Sequence, residues 1–134
     1  MIAILIFAQR HLGEGLLRSI EHVLGTVPPG VEAFAVDYYR SPEQTEQALR
    51  ERLGRFAAND GVLILADIYG ASHTNAACRI LQPGRVELVC GVNLPMVIRA
   101  LNYRDRDLAT VTAKALSGGA EGIVSGSRQA APGT

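Results

Sequence analysis

Polar residues that could do chemistry come directly after three apolar runs of this sequence. Residues 9–11 read Gln-Arg-His, Asp67 opens a loop that leads to Ser72, and residues 91–95 read Gly-Val-Asn-Leu-Pro. An acidic residue at the end of a strand, followed by a helix start whose N–H groups attract anions, indicates phosphoryl chemistry. An alternative stays open, in which Asp67 closes an Asx turn and Ser72 only caps a helix.

The elements that must position these residues are four apolar runs separated by segments of helical period. Three of the runs are nearly continuous in aliphatic residues, as is typical of parallel strands covered on both faces. The runs are IAILIFA, VEAFAVD, GVLILAD and RVELVCGVN. The alternation predicts an α/β fold with an open, mainly parallel four-stranded sheet and helices on both faces. We expect the strand order 2-1-3-4, and ligands in such sheets bind beyond the carboxyl ends of the strands.

The C-terminal part of the chain is predicted to complete this single domain. Residues from Asp107 to about Ala120 have a helical pattern, and the stretch GIVSGS that follows predicts an edge strand, exchanged with a partner in a dimer. We therefore expect one domain over residues 1–128 and a flexible tail over residues 129–134.

Composition excludes several classes of function. The 134 residues hold 13 Lys and Arg against 13 Asp and Glu, so no basic surface for nucleic acid is expected. No apolar run approaches the ~20 residues that span a bilayer, and the first run lacks the basic flank of a signal peptide. Cys78 and Cys90 lack the spacing of a disulfide framework or a CxxC motif, which predicts two reduced, buried thiols in a cytoplasmic protein.

Motifs for cofactors and metals do not occur in the sequence. There is no GxGxxG after the first strand and no GxxxxGK[ST] anywhere, and no loop rich in Ser and Thr follows the first strand. His11, His22 and His73 do not have the spacing of metal ligands. We therefore predict neither a cofactor nor a metal.

Three segments carry a resemblance to a known family. They read ILIFAQRHLGEGLL, GVLILADIYGASHTNAACRIL and GVNLPMVIRAL, and together they extend over most of residues 1 to 103. In them the chain resembles the mannose/fructose-type IIA component of the bacterial phosphoenolpyruvate-dependent sugar phosphotransferase system (PTS). The resemblance implies a parallel α/β fold, a homodimer, and transfer of a phosphoryl group from the carrier HPr to a IIB component through a phosphohistidine. It also implies that Asp67 orients the histidine and that the phosphate lies near Gly70, Ala71 and Ser72.

The sequence departs from this family at the histidine itself. When LGEGLL is aligned without gaps, the His-Gly pair of the family falls on Gln9 and Arg10, and His11 lies two residues too late. The lone pair of an amide nitrogen is delocalised into its carbonyl, so Gln9 can form hydrogen bonds but no phosphoramidate. We therefore expect the unmodified chain to accept little or no phosphate, and Gln9→His to restore some transfer.

The remaining histidines leave two hypotheses open. His11 and His73 each stand near a helix start, where an imidazole is a candidate nucleophile; the alternative is that each is an ordinary surface residue. A two-residue offset rotates a helical side chain by about 200°, so we expect His11 to point to solvent and not to be the catalytic histidine, although it stands in the right loop. The chain is thus either a PTS phosphocarrier, or a docking or regulatory relative of the IIA family that accepts no phosphate.

Overall fold

The computed structural model describes residues 1–129. A single sheet of four strands is surrounded by helices. The elements in chain order are β1 (Ala3–Ala8), α1 (Arg10–Leu24), β2 (Val31–Ala35), α2 (Pro42–Gly54), β3 (Val62–Ala66), α3 (Ser72–Cys78), β4 (Val86–Cys90), α4 (Leu94–Asn102), α5 (Leu108–Glu121) and α6 (Gly126–Gln129).

The sheet has the predicted topology. Its strands are ordered β2-β1-β3-β4 and every neighbouring pair is parallel, which confirms the α/β prediction. Near the carboxyl edge, Phe7 of the central strand β1 lies beside Phe34 of β2 and Ala66 of β3. The loops that follow these strands therefore emerge side by side.

Alternation along the strands creates two hydrophobic cores, one on each face of the sheet. On one face Ile4 and Ile6 of β1 pack in a core with residues of α1, α4 and α5. On the other face Leu5 and Phe7 pack in a core with residues of α2 and α3. Every residue of β1 is buried, which explains why its sequence is apolar throughout instead of alternating.

Helix α2 begins with a capping box. Ser41 is its N-cap: the Ser41 hydroxyl accepts a hydrogen bond from the Gln44 N–H at 3.1 Å, and the Gln44 side chain accepts one from the Ser41 N–H at 2.8 Å. This reciprocal pair satisfies two N–H groups at the helix start and fixes where the loop after β2 ends.

Helices α4 and α5 pack closely because of glycines on α5. A Cβ atom at Gly118 would overlap the Arg99 side chain of α4, with Arg99 Cγ at 2.8 Å and the Pro95 carbonyl oxygen at 3.3 Å. The Asn93 side chain joins the same helices, since it accepts from the Met96 N–H and donates to the Gly119 carbonyl at 3.1 Å. The loop 91–95 thus has a structural role in the described chain.

Two expectations about the C-terminal part and the cysteines are wrong for the single chain. Residues 122–127 do not extend the sheet within residues 1–129: 123–125 lack regular structure and α6 follows. Ile123 and Val124 are exposed because no strand of the described residues lies beside them; exchange in a dimer stays a prediction. Cys78 is exposed because the buried face of α3 is taken by Ala76 and Ala77, and Cys90 at the end of β4 is only partly buried. Of the predicted tail, residues 130–134 lie outside the described part.

Candidate functional site

Asp67 lies at the centre of the site, just beyond β3 at the carboxyl edge of the sheet. Three hydrogen-bond donors converge on its carboxylate. Oδ2 accepts from the Gln9 N–H at 3.1 Å, and Oδ1 accepts from the Ile68 N–H at 2.9 Å. The Nε2 atom of His73 lies 2.7 Å from the same Oδ1. Gln9 reaches Asp67 because β1 and β3 are adjacent and end at the same level.

These contacts keep the Asp67 carboxylate ionised. Burial, the largest single influence, raises the pKa of Asp67, but the hydrogen bond from His73 and those from the Gln9 and Ile68 N–H groups together outweigh it. The net result is an Asp67 pKa below the ordinary value of 3.8. At neutral pH the site therefore holds a carboxylate anion that accepts hydrogen bonds and donates none.

His73 is buried, so the alternative that it is an ordinary surface residue is wrong. Its side chain is only 8% exposed, and its ring meets Phe7 and Tyr38 edge-on, with centroids 5.3 and 6.3 Å away. The physical reason is the tight turn at Gly70, whose φ of 88° brings the start of α3 back over Asp67. The desolvated carboxylate then has a donor at hydrogen-bond distance.

Gln9 and His11 occupy positions set by the start of α1. The Gln9 side-chain oxygen caps this helix and accepts from the N–H groups of His11 and Leu12 at 2.9 and 3.1 Å. The Gln9 side chain is therefore directed to α1, and only its backbone N–H contacts Asp67. His11 is exposed on the first turn of α1.

The three residues associated with phosphate by resemblance form the loop between β3 and α3. Gly70 makes the turn, Ala71 is the N-cap residue without a side-chain hydrogen bond, and Ser72 is the first helical residue. The alternative reading of Ser72 as the N-cap is therefore wrong by one residue. Ala71 and Ser72 both line the cleft described next.

A cleft of about 450 Å³ opens beside the Asp67–His73 pair. One wall of this cleft, which is not among the predicted site residues, is formed by Asp37, Tyr38 and Arg40 in the loop after β2. Arg40 Nε lies 3.6 Å from Asp37 Oδ2, so one guanidinium faces the cleft from this wall. The sequence does indicate such a wall, because the polar and aromatic run DYYR, residues 37–40, follows strand β2 at the same edge of the sheet.

Other kinds of site find no support in the described chain. Within residues 1–129 no group of three or more His, Cys, Asp and Glu side chains is placed to hold a metal ion. In the same residues no helix has both the length and the apolar character needed to cross a membrane.

Comparisons with known proteins show the family and the fold of this chain. The sequence model of the EIIA-man family, described as the PTS system fructose IIA component, matches residues 3–116. The mannose-specific EIIAB component of Escherichia coli K12 is 33% identical in an alignment 129 residues long, which covers 91% of this chain and 38% of that protein. The chain thus spans well under half the length of the curated relatives it matches.

Solved structures show the same fold. The EIIA component from Streptococcus agalactiae superposes with a TM-score of 0.83 at 23% identity, with 96% of this chain and 99% of that chain covered. The mannose/sorbose-specific IIA subunit from Enterococcus faecalis superposes with a TM-score of 0.78 at 19% identity, with 92% of each chain covered.

The open parallel sheet makes this chain an α/β protein, and its cleft lies beyond the carboxyl ends of the strands, where proteins of this class bind ligands. Within that class, the chain belongs to the mannose/fructose-type IIA family of the phosphotransferase system.

Proposed function

We propose that this chain is a PTS phosphocarrier, which takes a phosphoryl group from an HPr-like protein and passes it to a IIB component. The observation that supports the proposal is the 2.7 Å contact between Asp67 Oδ1 and His73 Nε2 at the wall of the cleft. A carboxylate that fixes one ring nitrogen leaves the other nitrogen as a nucleophile, and it stabilises the positive charge of a phosphorylated ring.

The cleft suits an incoming phosphoryl group in two further respects. Arg40 offers a guanidinium that can form charge-assisted hydrogen bonds with phosphoryl oxygens, and the Ser72 hydroxyl lines the same cleft. Around it Tyr38, Tyr39, Ile68 and Tyr69 are exposed. Aromatic residues of this kind are enriched where proteins meet, which supports docking of a donor protein over the cleft.

Two partner proteins and a second copy of the chain complete the proposal. HPr-like and IIB partners follow from family membership, and we place their exchange with this chain in the cytoplasm. The exposed Ile123 and Val124 beyond α5 support a homodimer that covers them. Light scattering should then give the mass of two chains, whereas Val124→Asp should shift the mass towards one.

The second candidate is a docking or regulatory relative that binds HPr without accepting phosphate. One observation favours it, namely that the Gln9 side chain caps α1 and cannot act as a nucleophile. In that case the cleft would bind a partner or an anion, and no group would be transferred.

Intact mass spectrometry separates the two functions. The chain is incubated with phosphoenolpyruvate and with enzyme I and HPr from Escherichia coli, and the IIA domain of the Escherichia coli EIIAB relative serves as a positive control in the same tube. Potassium phosphoramidate, a small donor that needs no protein partner, is used in parallel. A carrier gains one acid-labile phosphoryl group from either donor. A chain that stays unmodified while the control domain is phosphorylated would favour the docking function.

A further inference from the structure

We propose that Nδ1 of His73 accepts the phosphoryl group, in place of a side chain at position 9. The inference rests on the proposed phosphocarrier function and adds the atom at which the transfer occurs. Three features of the described residues support it: the tautomer of His73, the surroundings of its Nδ1 atom, and the engagement of Gln9 elsewhere.

The tautomer of His73 follows from its partner. Asp67 is ionised and can only accept hydrogen bonds, so the 2.7 Å contact requires the proton to be on His73 Nε2. A neutral imidazole with its proton on Nε2 carries the in-plane lone pair on Nδ1. The nucleophilic nitrogen is therefore the one that faces away from Asp67.

Nδ1 of His73 has no hydrogen-bond partner in the described chain, and His73 lies at the wall of the cleft. The His73 ring has no other hydrogen-bond partner than Asp67 within residues 1–129, and over that range no buried side-chain nitrogen or oxygen lacks a partner. The edge-on contacts with Phe7 and Tyr38 hold the ring, so the direction of the lone pair is fixed in advance.

The other candidates in the described chain lack this arrangement. The Gln9 oxygen is engaged by two N–H groups of α1, and its amide nitrogen is not nucleophilic. His11 and His22 are exposed on α1, and neither side chain contacts a carboxylate within hydrogen-bond distance. Only the ring of His73 is oriented by Asp67. In this sequence the imidazole that pairs with Asp67 thus comes from α3 instead of from the end of β1.

Transfer of the phosphoryl group to His73 needs no reactant other than the phosphorylated donor. The Nδ1 lone pair of His73 attacks the phosphorus of the donor phosphohistidine, and the bond from phosphorus to the donor nitrogen breaks. The electron pair of that bond stays on the donor nitrogen. The new bond leaves a positive charge on the His73 ring, which the Nε2–H···Asp67 hydrogen bond stabilises. Passage to a IIB component repeats the same step, with His73 as the donor.

The experiment compares His73→Gln with the matched control His11→Gln. Glutamine at position 73 keeps a side-chain N–H donor for Asp67, so the fold and the local contact are disturbed as little as possible. Wild-type chain and both variants are incubated with phosphoramidate and, separately, with phosphoenolpyruvate, enzyme I and HPr. Far-UV circular dichroism establishes that each variant is folded, and the phosphorylated peptide is identified by mass spectrometry.

The Asp67–His73 contact replaces the expectation from position 9 alone, that the unmodified chain accepts little or no phosphate. We now expect the wild-type chain and His11→Gln to gain one acid-labile phosphoryl group on the peptide that contains His73, and His73→Gln to gain none. A folded His73→Gln chain that is still phosphorylated would overturn this inference and leave the phosphocarrier function standing. A wild-type chain that stays unmodified beside a phosphorylated control domain would overturn both. Adding Gln9→His to His73→Gln should return the phosphoryl group, now on residue 9, which would show that the rest of the site is intact.

Discussion

Replacing Asp67 by asparagine tests the electrostatics of the site through the stability of the fold. The carboxylate accepts hydrogen bonds from the N–H groups of Gln9 and Ile68 and from His73 Nε2, at 3.1, 2.9 and 2.7 Å. An asparagine side chain keeps one acceptor oxygen and turns an NH2 group towards one of these donors. Hydrogen bonds to a charged acceptor contribute about 1.5–3 kcal/mol each, so Asp67→Asn should lower the free energy of unfolding by about 2–3 kcal/mol at neutral pH.

The stabilisation by the Asp67 carboxylate should weaken in acid. The pKa of Asp67 in the folded chain lies below 3.8, so the folded state binds this proton less readily than the unfolded state. The stabilisation that the Asp67 carboxylate gives the fold is therefore complete above the pKa of Asp67 in the unfolded chain, about 3.9. It is lost as the pH falls through the lower pKa of Asp67 in the folded chain. The difference between wild type and Asp67→Asn should be full at about pH 6 and should shrink as the pH falls below 3.8.

Urea unfolding followed by circular dichroism at a series of pH values measures this difference. Asp105→Asn is the matched control, because Asp105 is exposed and its side chain forms no hydrogen bond or ion pair with residues 1–129. Surface changes of this kind typically alter stability by less than about 0.5 kcal/mol. Equal stability of Asp67→Asn and wild type at about pH 6, or a difference that does not shrink in acid, would refute the reasoning.

Three further predictions follow from other contacts. Arg40→Gln should slow phosphoryl acceptance from HPr about tenfold, measured as the initial rate of mass gain, and an unchanged rate would exclude Arg40 from the site. Gly118→Ala should lower the free energy of unfolding by about 1–3 kcal/mol through overlap with Arg99. Gly15→Ala is its control, because a Cβ atom there meets nothing within 4 Å, and it should raise the free energy of unfolding by up to about 1 kcal/mol. If both variants changed the free energy of unfolding in the same direction, the close packing of α4 and α5 would be contradicted. Gln9→Ala should cost about 1 kcal/mol in urea unfolding, because α1 loses its cap, and no loss would show that the cap is not formed.

The sheet could be predicted from sequence because the information for it is local. The unbroken apolar runs of β1 and β3 require cover on both faces, which makes these strands central and leads to the order that the structure has. The N-cap at Ser41 depends on equally local information, since the capping residue and its partner Gln44 lie three residues apart.

The arrangement of the site could not be predicted in full, because it depends on how far one short turn bends back. The sequence places Asp67 at a strand end, but the left-handed conformation at Gly70 decides whether His73 reaches the carboxylate or points to solvent. The wall formed by Asp37, Tyr38 and Arg40 depends in turn on the pairing of β2 with β1. Ile123 and Val124, which were predicted to lie in an edge strand, are exposed in the single chain, where no partner subunit is present to pair with them.

Reversible transfer to and from HPr is the most direct measurement of the central claim, that this chain carries phosphoryl groups. Wild-type chain is first incubated with phosphorylated HPr and then mixed with an excess of unphosphorylated HPr, and its intact mass is followed throughout. We predict a gain of one phosphoryl group in the first stage and its loss in the second. A chain that gains no phosphoryl group, while the Escherichia coli IIA domain in the same tube gains and returns one, would contradict the claim.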